Sequence, residues 1–350
     1  MKKNYKHQEI FKGLYLDVHP GQVVFLLGFE DADKSCLLGT IAGFDSPTRG
    51  DIFFENKKIT NDWISSSKLL YIRRTGKQYL YGRVKQRITG WQEKSGKAQD
   101  ADPLDIVGLK AAEDSLCRGL TAQQRQRLSL AQALTLLPRL LLVDGAIDDL
   151  PDADRTKILK SLISSAHKNG MAVLYATHHA QDALAFGDQT AILANGRILQ
   201  QDTPMNVYKQ PGSAACAQLT GECILLQGKA TAVKDETVFV DVAGLGFTCF
   251  SENWISPGEP LLICLRPEHI FWGHEANPGY LTNVSAILRE HTKVPGGHRV
   301  TFELKNGIQI AVTLKKPAAK LAVNDHCLLW FDTKNSALIP CQSNMDEDNK

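Results

Sequence analysis

Short apolar runs alternate with longer segments of helical spacing over the first 215 or so residues. Val23-Val24-Phe25-Leu26-Leu27 reads as a buried strand, Leu140-Leu141-Leu142-Val143 as a second and Ala172-Val173-Leu174-Tyr175-Ala176 as a third. Between the first two lie a polar stretch, Arg73 to Asp100, and a helical pattern from Pro103 to Leu137. Such alternation predicts an α/β sheet domain. After Pro211-Gly212 the texture changes to short alternating segments: Lys229–Lys234, Thr237–Val242, Leu261–Arg266, Arg299–Leu304, Ile308–Leu314 and Cys327–Asp332. Turn residues such as Asn306-Gly307 separate them, which predicts a small all-β domain, an OB-like barrel. The expected division is an α/β domain over 1–215, with a helical insert at about 73–137, and a β-barrel domain over 222–343.

Composition narrows the function classes. The chain has 350 residues, 43% of them apolar and 22% charged, which are globular proportions. Forty Lys and Arg against 38 Asp and Glu give a net charge of +2, too balanced for a nucleic-acid-binding surface, so no nucleic-acid partner is expected. No apolar run approaches the length of a membrane-spanning helix; Leu134 to Val143 is broken by Pro138 and Arg139. Two lysines near Met1 have no apolar stretch behind them, so a secretory signal is not expected. The eight cysteines form no CxxC pair, which sets aside zinc and thioredoxin-like readings and predicts reduced thiols in the cytoplasm.

The strand at Val23–Leu27 runs into Gly28-Phe29-Glu30-Asp31-Ala32-Asp33-Lys34-Ser35 and then a helical run, Cys36–Ala42. Strand, turn and helix are the setting of a phosphate-binding loop, whose N–H groups cradle phosphates. Its Lys reaches the β/γ oxygens and its Ser holds Mg²⁺. Gly28, Lys34 and Ser35 have the required spacing, and Asp33 replaces the second glycine.

Further along come Leu120-Thr121-Ala122-Gln123-Gln124-Arg125-Gln126-Arg127-Leu128, the strand ending in Asp144, and Thr177-His178 after another strand. Ile41 to Gly50, Gly196-Arg197-Ile198, Thr203-Pro204 and Leu265-Arg266-Pro267-Glu268-His269 complete an ordered set. The set resembles the nucleotide-binding subunit of an ABC transporter, of the bacterial importer type with a C-terminal accessory β-domain. That resemblance implies a P-loop NTPase core binding ATP and Mg²⁺. It places Tyr5 on adenine, Gly28, Lys34, Ser35 and Cys36 around the phosphates, Ser35 and Asp144 on Mg²⁺, and His178 at the γ-phosphate as a catalytic switch. It also implies membrane permease partners, a homodimer or a heterodimer with another ABC subunit, and a place on the inner face of the cell membrane. Leu219-Thr220-Gly221-Glu222 with Arg266-Pro267-Glu268-His269 leans the solute towards ferric iron.

Departures from the family pattern predict an impaired ATPase. Gly145 stands where a glutamate polarises the attacking water, and such help is worth about 10²–10⁴ in rate. Asp31 and Asp33 replace loop glycines beside Glu30. One carboxylate about 5 Å from a phosphate charge costs about 3 kcal/mol at an effective dielectric near 20. The signature segment reads Leu120-Thr121-Ala122-Gln123-Gln124, lacking both glycines. The glutamine expected ahead of the helical insert is replaced by Arg74, with Gln78 the nearest, and the D-loop reads Asp148-Asp149-Leu150-Pro151. The rival readings are a non-hydrolysing scaffold and a soluble regulator whose β-barrel binds a small anion or a protein. His178-His179 is not expected to bind metal, because adjacent side chains after a strand point apart and no third ligand lies close in sequence. The basic stretch Lys68, Arg73-Arg74, Lys77, Arg83, Lys85 and Arg87 reads as a solvated face.

Overall fold

The structure, a computed structural model, describes residues 1–5, 8–59, 68–73, 81–96, 101–275, 282–295, 297–314 and 322–341, and only the backbone of Asn4, Tyr5, Gln8 and Glu9. The chain divides into two compact units, Met1–Met205 and Asn206–Lys350. The first opens with a hairpin, β1 (Lys2–Tyr5) and β2 (Gln8–Lys12). Then come β3 (Val23–Gly28), α1 (Asp31–Ile41), the short pair β4 (Phe53–Phe54) and β5 (Lys57–Lys58), and β6 (Leu69–Ile72). Helices α2 (Val84–Ser95), α3 (Pro103–Ile106) and α4 (Ala122–Leu136) lead to β7 (Leu140–Asp144). The unit ends with α5 (Asp152–Asn169), β8 (Ala172–Ala176), α6 (Ala180–Phe186), β9 (Gln189–Ala194) and β10 (Arg197–Asp202).

Six of these strands form one sheet in the order β10-β9-β3-β8-β7-β6. All neighbours are parallel except β9 and β10. Helices cover such a sheet on its faces, so its central strands carry unbroken apolar runs rather than an alternation. Phe25, Leu26, Leu142, Val143, Val173 and Leu174 are accordingly buried. Parallel strands end at the same edge, and there an open α/β sheet binds its ligands. Here that edge carries Gly28, Asp144 and Thr177, because β8 lies between β3 and β7 with Ala176 in register with Leu26 and Asp144.

The three strands expected from sequence are present, but helix boundaries differ. The Pro103–Leu137 pattern breaks into α3 and α4, with Gly108 at φ +68° in the interruption. The Arg73–Asp100 stretch contains α2, which buries Val84, Ile88 and Trp91 on one face. The basic residues Lys68, Arg83 and Lys85 are exposed, as a solvated face requires, and make contacts at the surface. Arg87 donates to the Tyr81 carbonyl, Arg83 to the Asp114 carbonyl, Lys85 pairs with Asp114 and Lys68 with Glu55. Arg74, Lys77 and Gln78 lie outside the described residues.

The second unit begins within α7 (Pro204–Lys209), followed by α8 (Ala214–Thr220). Its strands are β11 (Ile224–Lys234), β12 (Thr237–Val242), β13 (Leu245–Phe250), β14 (Pro260–Leu265) and β15 (Ile270–Gly273). After these come β16 (Thr282–Val294), β17 (Gly297–Leu304), β18 (Gln309–Leu314), β19 (His326–Phe331) and β20 (Ala337–Pro340). The unit is all-antiparallel β, in two five-stranded sheets, β13-β12-β11-β14-β20 and β15-β19-β16-β17-β18. Alternate residues such as Val238, Val240 and Val242 of one sheet and Ile310 and Val312 of the other fill a single core. The rings of Phe247 and Phe331 meet at 5.4 Å across it.

Arg266 fastens α7 and α8 to this unit. It is 3% exposed and donates to the carbonyls of Tyr208, Ala217, Gly221 and Glu222 and to Thr220 Oγ1, with its guanidinium 4.1 Å from the Tyr208 ring. Of the residues that leaned the sequence towards ferric iron, Thr220, Gly221, Glu222 and Arg266 are joined by these hydrogen bonds.

Candidate functional site

The site is built where β3 passes into α1. Gly28 closes β3, and a Cβ there would stand 2.8 Å from the Leu193 carbonyl oxygen, so only glycine fits. The sequence placed the helix start near Cys36; α1 instead begins at Asp31, after an extended Glu30. Negative side chains near a helix N-terminus stabilise its positive end, and Asp31 and Asp33 occupy that first turn. The residues that a phosphate loop leaves as an open turn are thereby wound into helix, and Lys34 N–H already points at the Glu30 carbonyl at 3.4 Å.

Lys34 is 2% exposed. Its Nζ donates to the Gly28 carbonyl at 2.7 Å and lies 3.0 Å from Asp31 Oδ1. The next residue, Ser35, donates through Oγ to Asp144 Oδ1 at 2.9 Å, joining α1 to the end of β7. Tyr71 of β6 donates to Asp144 Oδ2 at 3.1 Å, so each carboxylate oxygen has a hydroxyl donor. Burial pushes the Asp144 carboxyl above its ordinary range, and the two hydroxyls oppose that shift. Burial also raises Tyr71, with the Asp144 charge adding to it. Asp33 is raised too, by burial first and the neighbouring Glu30 charge second, against a lowering by Lys34. Cys36 sits half-buried in α1, its thiol raised chiefly by burial.

Tyr71 had no place in the sequence reading, although four apolar residues ahead of Arg73 announce a strand there. The Arg73 guanidinium lies 3.9 Å from the Phe44 ring centre and 5.1 Å from that of Tyr71. Tyr5 lies in β1, opposite Gln8, and its side chain is outside the described residues.

Gly145 follows Asp144 at φ +56°, in the left-handed region, and donates to the Ala176 carbonyl at 2.9 Å. Downstream, Asp148 is buried and accepts from Tyr175 OH at 3.1 Å and Thr177 Oγ1 at 2.9 Å. His178 Nδ1 lies 3.0 Å from Asp148 Oδ2, and His179 Nε2 lies 2.9 Å from the Asp148 carbonyl oxygen. The two rings do not point apart as their sequence positions suggested. Their centres are 4.2 Å from each other, because the strand ends at Ala176 and His179 already caps α6. Asp148, distant in sequence, supplies the third group. At α4, Thr121 and Gln124 close a reciprocal capping box, leaving Ala122 and Gln123 exposed on the first turn.

Two hard oxygen donors, Ser35 Oγ and the Asp144 carboxylate, suit Mg²⁺. The phosphate side fits less well, because Glu30, Asp31 and Asp33 surround the helix start and Lys34 is already bonded within the chain.

Comparison with known proteins agrees with this architecture. The ABC transporter family profile matches residues 11–148. A spermidine/putrescine import ATP-binding protein of Pseudomonas aeruginosa is 30% identical over 264 residues, 73% of this chain and 72% of that protein. An Fe(3+) ions import ATP-binding protein of Brucella melitensis is 28% identical over 289 residues, 79% of this chain and 80% of its own. A solved ATP-binding subunit of an ABC transporter superposes with a TM-score of 0.52 at 21% identity, covering 59% of this chain and 88% of the other, a likeness of fold. The chain belongs to the ABC transporter ATP-binding family, in its importer-type branch.

Proposed function

We propose that this chain is the nucleotide-binding subunit of an importer for a cationic solute, and that it binds Mg-ATP weakly and hydrolyses it very slowly. The observation that carries the reading is the internal engagement of Lys34. A bound phosphate must draw Nζ away from the Gly28 carbonyl and Asp31, and it does so beside two further acids. In this reading Ser35 and Asp144 hold the metal, Tyr5 faces adenine and His178 faces the γ-phosphate. Gly145 supplies no base. The cationic class rests on the relatives, whose names carry spermidine/putrescine and Fe(3+). Membrane permease subunits hold the chain on the inner face of the cell membrane, where it pairs with itself or another ABC subunit. Among the described residues no helix is long and apolar enough to cross a membrane.

Steady-state ATPase measured on the chain with its permease tests the reading. Turnover equal to that of an intact importer ATPase and abolished by Lys34→Ala overturns it. A non-hydrolysing scaffold is the second reading, favoured by Gly145. Retained permease association with no turnover dependent on Lys34 selects the scaffold, and slow turnover dependent on Lys34 selects the first reading.

A further inference from the structure

We propose that Asp148, His178 and His179 form a binding site for a divalent transition-metal ion of the zinc class, sharing no residue with the Ser35–Asp144 pair. One ligand atom from each of the three lies within 4.8 Å of the others, the only such group among the described residues. Donors bonded at about 2.0–2.2 Å to a tetrahedral ion stand about 3.3–3.5 Å apart. His178 Nδ1 and Asp148 Oδ2 are 3.0 Å apart, so an ion enters between them with a shift of a few tenths of an ångström. His179 already abuts the same residue, at its carbonyl oxygen, and a turn of its ring brings a nitrogen to the third position. When the ion binds, the His178 ring takes the tautomer with its proton on Nε2, exchanging through solvent.

The frame that holds the ligands is more ordered than a chance cluster requires. Tyr175 OH and Thr177 Oγ1 fix the Asp148 carboxylate from inside the sheet. Outer hydrogen bonds of that kind orient metal ligands and hold their affinity. Arg155 of α5 is buried, donates to the Leu150 carbonyl at 2.9 Å and pairs with Asp182 of α6 at 2.5 Å. It thereby ties the turn carrying Asp148 to the helix that His179 caps. The His178 side chain is 46% exposed, which leaves a path for the ion and an open fourth position for water. Two imidazoles and one carboxylate select a borderline ion such as Zn²⁺ or Co²⁺ over Mg²⁺, which takes oxygen donors.

The test uses the full chain stripped of metal with a chelator, free of nucleotide, titrated with Co²⁺ by visible absorption and with Zn²⁺ by calorimetry. One equivalent is expected, with cobalt d–d bands and no thiolate charge-transfer band, and excess Mg²⁺ leaves the signal unchanged. His179→Ala, at a residue outside the nucleotide site, is expected to weaken Zn²⁺ binding by at least about tenfold, and Thr177→Val by about 10–100-fold through loss of ligand orientation. Circular dichroism confirms that each variant is folded. Binding equal in His179→Ala and the parent chain, a thiolate band, competition by Mg²⁺, or no binding at all overturns the proposal.

Discussion

Neutralising the two first-turn acids of α1 should strengthen nucleotide binding while weakening the fold. The perturbation is Asp31→Asn with Asp33→Asn, which keeps side-chain size. A full carboxylate about 5 Å from a phosphate charge opposes binding by about 3 kcal/mol at an effective dielectric near 20. The Asp31 side chain is 59% exposed, so solvent reduces its share to about 1 kcal/mol, and its removal also releases Lys34 Nζ from one partner. Asp33 is half-buried and keeps a share of similar size. Together about 2 kcal/mol is expected, close to thirtyfold in Kd, and tenfold is the least that the geometry allows. Removing Asp31 costs the helix about 0.3–1 kcal/mol of dipole stabilisation and its contact with Lys34, so the melting temperature should fall, whereas Asp33, raised chiefly by burial, adds no such loss. Calorimetric titration with Mg-ATP at low and high salt reads the first effect and thermal denaturation the second. The affinity gain should shrink at high salt and persist in Lys34→Ala, apart from the share that comes from freeing Lys34 Nζ from Asp31. A lower melting temperature with Kd unchanged at low salt would refute the reasoning, because the acids would then support the helix without facing the phosphate.

Gly145→Glu alone should not restore turnover, since a non-glycine residue at φ +56° costs about 1–2 kcal/mol and displaces the carboxylate; full steady-state ATPase activity in that variant would contradict this. Asp144→Asn should raise the melting temperature at neutral pH. The native carboxyl is raised by burial, so its cost is absent below the unfolded pKa of about 4, grows as pH rises through the window up to the native value, and is complete above it. A melting series across pH checks this, and a gain that persisted undiminished in acid would sink it. Cys223 accepts from the Cys264 thiol, with Arg266 nearby, and is brought down to about 7 against the opposing effect of burial. Its alkylation by iodoacetamide should therefore reach half its maximal rate near neutral pH, a profile that Cys264→Ala should shift upward; an unshifted profile would exclude the thiol contact as the cause.

How legible the molecule was depends on which force decided each element. β3, β7 and β8 could be read directly, because a strand covered on both faces shows itself as consecutive apolar residues. β16 could not, since its outer half, Arg289 to Lys293, is polar and carries no alternation. Helix α2 falls inside the helical insert expected at about 73–137, but its bounds could not be read from its few apolar positions, three of twelve residues, which bury one narrow face. At the site, spacing brought out Gly28, Lys34 and Ser35, the family resemblance added Asp144, and the structure joins them through Lys34–Gly28 and Ser35–Asp144 contacts. Tyr71 escaped, and so did the contact of Asp148, read only as part of the D-loop, with His178, because each partner lies far away in sequence. The helix start escaped for a different reason. The loop motif and the first-turn acids made opposite demands on residues 31–33, and spacing alone could not say which would prevail.

The acids and the missing glycines are one change rather than several. A helix N-terminus carries unpaired N–H groups and favours a negative charge. In a phosphate-binding loop that charge arrives with the ligand; here Asp31 and Asp33 bring it covalently, and Lys34 is balanced by Asp31 and the Gly28 carbonyl. Helix formation from Asp31 then consumes the turn that glycines would have held open. Restoring one glycine leaves the remaining acids to favour the helix, so repair of the loop must be concerted. The same reasoning bears on pairing. The dimer that the family resemblance implies sets each nucleotide between the phosphate loop of one subunit and the signature segment, here the α4 start, of the other. The altered loop, Gly145 and the Ala122-Gln123 turn all lie in this one chain. An intact partner would thus form one site with the altered loop and another with the altered α4 start, so on the proposed reading pairing should not restore turnover.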